Sequence, residues 1–366
     1  MGQQFYIINN EAQPPNVSPK CGNGEKSCVL GIESSCDDTA AAVIIDGVLR
    51  SSIISSQSEH IPFGGVVPEL ASRAHDRLLV PVVQAALQKA GIEMSDLTGI
   101  AVTRGPGLIG SLMVGVSFAK SLSAGLGIPL VGVHHLDGHM DSLWLGASRP
   151  DPPLLVLIVS GGHTQLMRVD ASGRRIILGK TRDDAAGEAF DKVAAILGLE
   201  YPGGPEIDRL AAHGNAGFHE FPRTRLPDYD WSFSGIKTSV LYHLNRLDLP
   251  ERTRYLEKHL ADLCASFQEA VVDMLVEPVQ RAMEMTGIRS VGLVGGVSAN
   301  SRLRDRLEQT TSSLGGHLHV PDLEFSMDNA AMIALSGSLK LARGEQDSLF
   351  FTAHPSLSMD LEEAPV

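Results

Sequence analysis

The chain has 366 residues, too many for one small hydrophobic core and enough for two domains of ordinary size. Its formal net charge of −13 argues against a simple nucleic-acid-binding protein, because such proteins usually carry a basic excess. None of its four cysteines belongs to a C-x-x-C pair, which excludes zinc-ribbon and thioredoxin motifs and favours a reduced compartment.

Residues 1–27 are polar and proline-containing, and they show neither helical nor strand periodicity. They contain no arginine and no apolar segment of the kind found in transit or signal peptides. The composition predicts a disordered N-terminal extension. Further along, no apolar stretch is both long enough and poor enough in glycine to predict a membrane-spanning helix, so we expect no membrane partner and a cytoplasmic location.

The first half of the ordered chain begins with an apolar strand at 28–32, a polar turn at 33–38 and a second strand at 39–45. Helical spacing follows over 71–91. A strand at 100–103, a glycine-rich loop and a helix over 111–126 complete this half.

The second half repeats the pattern. Strand 154–159 leads through the turn 160–164 into a return strand at 165–169, and strand 290–294 leads through Gly295-Gly296 into a helix. Junctions of strand, glycine loop and helix direct backbone N–H groups at one point, which favours anions. The repetition therefore predicts two α/β lobes whose loops face one nucleotide-binding cleft, although a single glycine turn is equally explained by a tight chain reversal.

Histidines cluster at residues 134–139. His135 and His139 have i, i+4 spacing, so on a helix they would share a face and could hold one metal ion. Leu136 stands where the H-E-x-x-H motif requires glutamate, so the zinc-peptidase motif is absent. A third ligand must come from elsewhere, and Asp328, at the start of a predicted helix, is a candidate. A histidine-rich surface turn explains the pair equally well.

Acidic residues cluster in the first turn, at Glu33, Asp37 and Asp38. Three carboxylates so close together repel one another unless a cation or an acid–base role stabilises them. Cys36 lies among them, but no basic neighbour in the sequence would activate it as a nucleophile, and we predict a packing role.

Polar and glycine-rich segments of the second half are candidate nucleotide contacts. The amides and hydroxyls of 159–164 could hold phosphate, and Asp191 could accept hydrogen bonds from a ribose. Asn300 could contact a base or sugar, but it is as readily explained as a helix N-cap.

Together these segments resemble one family, the tRNA N6-adenosine threonylcarbamoyltransferases (TsaD, formerly called O-sialoglycoprotein endopeptidases). The resemblance extends from about residue 30 to about residue 341. The segments that carry it are 31–39, 64–73, 105–108, 134–139, 159–165, 183–192, 201–205, 233–238, 295–300 and 328–329.

This resemblance implies an α/β fold with two RNase-H-like lobes of the actin, Hsp70 and sugar-kinase type around a nucleotide cleft. The N-terminal lobe would span 28–148, joined by a C-terminal helix at about 328–345. The C-terminal lobe would span 149–327, and 346–366 would form a tail.

The resemblance also implies transfer of a threonylcarbamoyl group from threonylcarbamoyl-AMP to N6 of adenosine 37 in tRNAs that read codons beginning with A. One divalent metal ion, iron or alternatively zinc, would be held by His135, His139 and Asp328. Catalytic carboxylates would come from Glu33, Asp37 and Asp38. Substrate contacts would come from Ile158, Val159, Ser160, Gly161, Gly162, Asp191, Gly204, Asp208 and Asn300. The implied partners are tRNA, an inactive paralogue and a small ATPase.

Some positions depart from the family pattern. Asp38 stands where many members have glutamate, and Ala330 stands where many have glycine. Ile158-Val159 contains no counterpart of the metal-binding tyrosine of archaeal and eukaryotic relatives, which indicates a bacterial-type member. The alternatives are a non-catalytic scaffold of the modification complex, a metallopeptidase and a sugar kinase of the same fold group.

Overall fold

The computed structural model of the chain describes residues 6–8, 26–146 and 149–359. The chain divides into two compact units, one formed by residues 1–149 with 321–366 and the other by residues 150–320. The first boundary lies next to the one expected from sequence, whereas the return to the first unit begins at residue 321 rather than 328. Most of the extension expected over 1–27 lies outside the described residues, and residues 6–8 form a short strand.

The first unit contains a six-stranded mixed sheet in the order β1-β4-β3-β2-β5-β6. Neighbouring strands among β1 to β4 are antiparallel, while β5 and β6 run parallel to β2. Asp46 and Gly47 both have positive φ, which suits the two-residue turn between β3 and β4. The strands are β1 (Tyr6–Ile8), β2 (Cys28–Glu33), β3 (Asp38–Ile45), β4 (Val48–Ser56), β5 (Gly99–Gly105) and β6 (Leu130–His134).

The second unit contains a five-stranded sheet in the order β11-β10-β7-β8-β9. Its first strand, LLVLIV, is buried at every position, as expected for a strand covered on both faces. Antiparallel strands follow it on one side and parallel strands on the other, as in the first unit. The strands are β7 (Leu154–Val159), β8 (Thr164–Val169), β9 (Arg175–Lys180), β10 (Ser290–Val294) and β11 (His317–His319).

Helices cover both sheets. Those of the first unit are α1 (Pro68–Ala90), α2 (Ile109–Leu126), α3 (His135–Asp141), α9 (Leu323–Ser326) and α10 (Ala330–Ala342). Those of the second unit are α4 (Ala186–Leu197), α5 (Gly203–Ala211), α6 (Ser234–Leu244), α7 (Leu249–Thr286) and α8 (Ser301–Ser313). Short 3₁₀ segments occur at Ser58–Phe63, Met94–Asp96, Ser142–Trp144 and Gly296–Ala299.

In the first unit, α1 and α2 cover one face of the sheet, and α10 covers the other. By length and composition alone α2 could cross a membrane, but Leu112, Val116 and Ala119 on this helix are buried within the unit. On the opposite face α10 lies close to β2, and a Cβ at Gly31 would lie 2.5 Å from the Ala334 nitrogen. Glycine at residue 31 therefore permits this close packing.

The 38-residue helix α7 dominates the core of the second unit. Phe267 on this helix packs edge to face against Phe190 of α4, with ring centroids 5.2 Å apart. The indole of Trp231 is buried and donates to the Met274 carbonyl oxygen at 2.9 Å. These contacts form a core within residues 150–320 alone.

The described part of the predicted C-terminal tail is hydrogen-bonded to the first unit. The Asp347 nitrogen donates to the Leu130 carbonyl at 2.8 Å, and the His354 nitrogen donates to the Arg104 carbonyl at 2.9 Å. Phe351 is buried beneath Arg104 and Lys120, both of which lie over its ring. The segment 347–357 is therefore a strap that runs from the start of β6 to the end of β5, while 360–366 lie outside the described residues.

Candidate metal centre and glycine-rich loops

The histidine pair lies on α3, directly after β6. His134 caps the helix, because its Nδ1 accepts from the Leu136 nitrogen at 3.2 Å. His135 and His139 then share one face, with ring centroids 4.7 Å apart and ring planes at 84°. Gly138 faces α10, where a Cβ would lie 2.9 Å from Ile333 Cδ1. The helical arrangement expected for the pair is thus present, and the glycine permits close packing beneath it.

Asp328 meets the two histidines from the segment between α9 and α10. Its Oδ1 lies 3.1 Å from His139 Nε2 and 3.5 Å from His135 Nε2. The candidate ligand atoms of the three residues all lie within 4.8 Å of one another. Two imidazoles and a carboxylate are a suitable donor set for a divalent transition metal. Asp328 keeps 24% of its side chain exposed, whereas His139 is fully buried.

Glu33, at the end of β2, lies beneath this group and is fully buried. It accepts from the Ser35 nitrogen at 2.5 Å and from Thr103 Oγ1 at 2.7 Å, and its Oε2 lies 3.1 Å from His135 Nδ1. An ionised carboxylate can only accept, so the hydrogen on the His135 ring resides on Nδ1. In the neutral form of the ring, Nε2 then carries the lone pair on the side of Asp328, the arrangement that a metal-ligating histidine requires.

The charges of these residues are strongly coupled. Burial opposes ionisation of Glu33, but His135 and Thr103 outweigh it and lower its pKa. Burial also disfavours a charged His135, yet Asp328 and Glu33 outweigh it and hold the His135 pKa well above the usual value. Burial likewise opposes ionisation of Asp328, but both histidines outweigh it and hold the Asp328 pKa well below the usual range. The space between the two carboxylates therefore stabilises positive charge.

The other two acids of the first turn have different surroundings. Burial, together with the charges of Asp328, Asp37 and Glu33, raises the pKa of Asp38 to about 7, although a hydrogen bond from Ser56 Oγ opposes the shift. Burial also raises the pKa of Asp37. Asp38 is partly exposed, whereas Glu33 is not.

Burial and Asp37 raise the pKa of the Cys36 thiol far above its usual value, so the thiol stays protonated. This agrees with a non-nucleophilic role for Cys36. His75 supports the same turn, since its Nε2 lies 2.9 Å from the Cys36 carbonyl oxygen and its Nδ1 lies 2.8 Å from Thr39 Oγ1. We did not predict this histidine from sequence. Its position among the apolar residues of α1 was the sequence feature that could have indicated a buried histidine.

In the second unit, the turn after β7 presents glycine. The Ser160 nitrogen donates to the His163 carbonyl at 2.8 Å, and the His163 nitrogen donates to Ser160 Oγ at 3.1 Å, so the turn is closed. Gly161 and Gly162 are exposed, and a Cβ on either would meet nothing within 4 Å. The side chains of Ile158 and Val159 are fully buried, so these two predicted contacts have no accessible side chain.

The remaining predicted substrate contacts hold neighbouring loops together. Asp191 Oδ1 accepts from the Gly203 nitrogen at 2.8 Å, and the Asp208 carboxylate accepts from the nitrogen and hydroxyl of Ser301 at 3.1 and 2.9 Å. Asn300 caps α8 by accepting from the Leu303 nitrogen at 2.9 Å. Its amide also donates to Gln268 Oε1 at 2.8 Å, so the N-cap alternative describes its structural role.

Close backbone contacts tie these loops to the end of β7. Gly295 has φ of +91°, and a Cβ there would lie 2.5 Å from the Val159 carbonyl oxygen. A Cβ at Gly187 would lie 2.6 Å from the Ser160 carbonyl oxygen, at the start of α4. A Cβ at Gly204, by contrast, would meet nothing within 4 Å. The loops after β7 and β10 and the starts of α4 and α5 thus form one glycine-rich region within this unit.

Two solved structures share this fold. Component A of the (R)-2-hydroxyglutaryl-CoA dehydratase of Acidaminococcus fermentans matches with a TM-score of 0.53 at 16% identity, covering 86% of this chain and 99% of that one. Full-length HypF matches with a TM-score of 0.55 at 14% identity, covering 87% of this chain and 55% of that one. At these identities the likeness concerns the fold alone, which is the actin-like fold predicted from sequence.

Sequence relatives are much closer. A tRNA N6-adenosine threonylcarbamoyltransferase of Salinibacter ruber (strain DSM 13855 / M31) is 57% identical over 332 residues, covering 90% of this chain and 99% of the relative. One of Syntrophus aciditrophicus (strain SB) is 48% identical over 335 residues, covering 91% and 98%. The family model described as TsaD, tRNA N6-adenosine threonylcarbamoyltransferase, matches residues 47–335. The chain therefore belongs to the tRNA N6-adenosine threonylcarbamoyltransferase family, as the sequence motifs predicted.

Proposed function

We propose that this chain transfers the threonylcarbamoyl group from threonylcarbamoyl-AMP to N6 of adenosine 37 in tRNAs that read codons beginning with A. The observation that carries the proposal is the His135, His139 and Asp328 group with Glu33 beneath it, in a chain of this family. A non-catalytic scaffold would not need three convergent ligands and a buried carboxylate to orient one of them.

His135, His139 and Asp328 would hold one divalent ion, iron or alternatively zinc. When bound, such an ion supplies Lewis-acid stabilisation of the charge that develops on an acyl oxygen. Glu33 acts as a positioning residue, because its ionised carboxylate holds a hydrogen on His135 Nδ1, so that in the neutral ring the lone pair is on Nε2. Its complete burial separates it from any substrate proton, so another carboxylate would accept that proton.

Asp38 is the better candidate for accepting a proton from the N6 amine. Its pKa of about 7 places it close to the pH at which a general base is most effective. It is partly exposed, and the Ser56 hydroxyl holds one of its oxygens in place. Asp37, whose pKa is also raised, remains the second candidate.

The glycine-rich region of the second unit would bind the adenylate. A Cβ at Gly161, Gly162 or Gly204 would meet nothing within 4 Å, which leaves room for a phosphate to approach main-chain N–H groups. Asp191, Asp208 and Asn300 would act mainly by holding the loops in place, because the hydrogen bonds described above connect them to neighbouring residues. As a bacterial-type member the chain would act in the cytoplasm with an inactive paralogue and a small ATPase.

The test is transfer of labelled threonylcarbamoyl from its adenylate to unmodified tRNA by the metal-loaded chain, alone and with the two candidate partners. We expect label on tRNA that is lost when adenosine 37 is replaced. His139→Ala should abolish it, and His213→Ala, which changes an exposed histidine of the second unit, should not. Absence of label in every combination, from a folded and metal-loaded protein, would favour the scaffold instead.

A further inference from the structure

A cavity of about 440 Å³ lies in the second unit, along one side of α6. It shares no residue with the histidine–aspartate group or with the glycine-rich loops described above. Its walls include His219, His243 and Arg246, the ring of Tyr242, and hydroxyl groups of α6. Of the described residues that line it, none is acidic. In a chain of net charge −13 this composition favours an anionic ligand.

One end of the cavity offers cationic and imidazole groups. The rings of His219 and His243 lie 4.2 Å apart between centroids, and His243 Nε2 lies 2.9 Å from the Tyr255 hydroxyl. Arg246 is exposed, and among the described residues none forms a hydrogen bond or ion pair with it. An unpaired guanidinium beside two imidazoles is suited to a phosphate group.

The rest of the cavity suits a sugar and a base. Ser234 Oγ donates to Asp183 at 2.7 Å and Thr238 Oγ1 donates to the Ser234 carbonyl at 2.9 Å, so each hydroxyl oxygen keeps lone pairs that can accept from a ribose hydroxyl. Tyr242 is 63% exposed and offers an aromatic face. RNA-binding proteins stack unpaired bases on such faces and recognise the 2′-hydroxyl of ribose.

The distribution of charge favours this unit over the rest of the chain for binding a polyanion, and the exposed Tyr242 ring favours RNA over an acidic protein segment. Residues 150–320 carry 19 of the 30 basic and 22 of the 43 acidic residues, a balance of −3, whereas the remainder of the chain has a balance of −10. A polyanion is therefore repelled less by the unit that contains the cavity. The cavity offers a guanidinium for a phosphate, hydroxyl groups for a ribose and an aromatic ring for a base. A peptide carboxylate would bind the guanidinium but would make no contact that explains the exposed aromatic ring.

We propose that this cavity binds one nucleotide of the tRNA other than the adenosine that is modified. Its phosphate would lie near Arg246, its ribose near Ser234 and Thr238, and its base on Tyr242. The cavity contains no residue assigned to the reaction, so the bound nucleotide anchors and orients the tRNA. This inference rests on the proposed function in taking tRNA as the substrate.

The test is direct binding of unmodified tRNA to the full-length chain by filter retention at several KCl concentrations. Arg246→Ala should weaken binding several-fold and reduce the slope of log Kd against log salt by about 0.7 to 0.9, the loss of one phosphate contact. The matched control is Arg50→Ala, which removes an exposed arginine from the first unit. Tyr242→Ala should weaken binding at least about fivefold, and Tyr242→Phe, which keeps the aromatic face, should restore it.

Equal affinities and salt slopes for wild type, Arg246→Ala and Arg50→Ala would overturn the proposal, as would equal losses in the two variants. A folded wild-type chain that retains no tRNA at any salt concentration would also overturn it. Failure of the proposed transfer reaction is distinguishable, because a chain that binds tRNA through this cavity but transfers no label contradicts only the enzymatic assignment. Circular dichroism melting of each variant separates lost binding from lost folding.

Discussion

The sheets of the two units share one arrangement, in which β2 and β7 each lie between antiparallel strands on one side and parallel strands on the other, and β1 is an additional edge strand of the first sheet. The residues that follow β2 and β7 differ. In the first unit the end of β2, the turn after it and the start of β3 carry Glu33, Asp37 and Asp38, and α3 brings two histidines to Glu33 and Asp328. In the second unit the turn after β7 carries Gly161 and Gly162.

This difference shows how one strand arrangement can serve ions of opposite charge. Carboxylates and imidazoles around buried space stabilise a cation, whereas exposed main-chain N–H groups beside glycine accommodate an anion. The comparison can be tested by changing each region separately.

Asp328→Asn should remove the one carboxylate that faces both histidines. We expect loss of stoichiometric metal and a fall in transfer rate of roughly 1,000-fold or more, because a Lewis acid contributes several kcal/mol to stabilising the transition state. Metal content by atomic absorption and single-turnover transfer measure the two effects. Asp322→Asn, at an exposed position nearby, is the control. Unchanged metal content in Asp328→Asn would contradict the assignment of the ligands.

Glu33→Gln tests the carboxylate beneath His135 without changing its size. The amide can present its N–H to His135 Nδ1, so the ring hydrogen can move to Nε2, and we expect metal affinity to fall about 10- to 100-fold. Titration with Zn²⁺ followed by calorimetry measures this independently of activity. Glu69→Gln, whose side chain is 74% exposed, should bind metal as the wild type does. Equal affinity in Glu33→Gln would show that Glu33 does not orient the ligand.

Two glycines of the second unit distinguish packing from ligand binding. Gly295→Ala should destabilise the fold by about 1–3 kcal/mol, because its φ of +91° and its contact with Val159 disfavour a Cβ. The Cβ added in Gly161→Ala would meet nothing within 4 Å, so this variant should keep its stability. Its KM for the adenylate should rise, because the Cβ would obstruct the anion site. Urea denaturation and initial rates are the measurements. An unchanged KM in Gly161→Ala would argue against an anion site at this turn.

The raised pKa of Asp38 has a consequence for stability. A carboxyl whose pKa is about 7 in the folded state and near its ordinary value when unfolded binds a proton more tightly when folded. Its contribution to stability is therefore present at low pH and is lost as the pH rises through about 7. The free energy of unfolding of Asp38→Asn, measured by urea denaturation, should therefore rise relative to that of the wild type when the pH is raised from 5 to 8. Asp151→Asn, at an exposed site, should show no such difference, and the same result from both variants would contradict the assignment to Asp38.

The sequence predicted the regular parts of the fold well where periodicity was strong. Strands β2, β3, β7 and β8 and helices α1 and α2 lie within a few residues of their predicted positions. The long helix α7 and strand β4 were not predicted. In α7 polar and apolar residues are mixed in nearly equal weight, and four residues of β4 are serine. Such segments become helix or strand through packing against neighbours rather than through local preference.

The candidate site shows the same division. Spacing on a helix predicted that His135 and His139 would share a face, because the helical period is a local property. The family motifs indicated Asp328 as their partner. No local sequence feature indicated that Glu33 would orient His135 or that the Asn300 amide would donate a hydrogen bond to Gln268. The strap formed by residues 347–357 was likewise not evident from local sequence.

By itself, then, the sequence determined the family, the two α/β halves and the residues able to bind a metal, since residue type and short-range period are sufficient for these. Only the tertiary structure decided which carboxylate is buried and which is accessible. Glu33 and Asp38 are five residues apart and chemically alike, yet one is fully buried with a lowered pKa and the other partly exposed with a raised one. The physical reason is that burial and charge pairing depend on groups brought together from distant parts of the chain, here β5, α3 and the segment before α10.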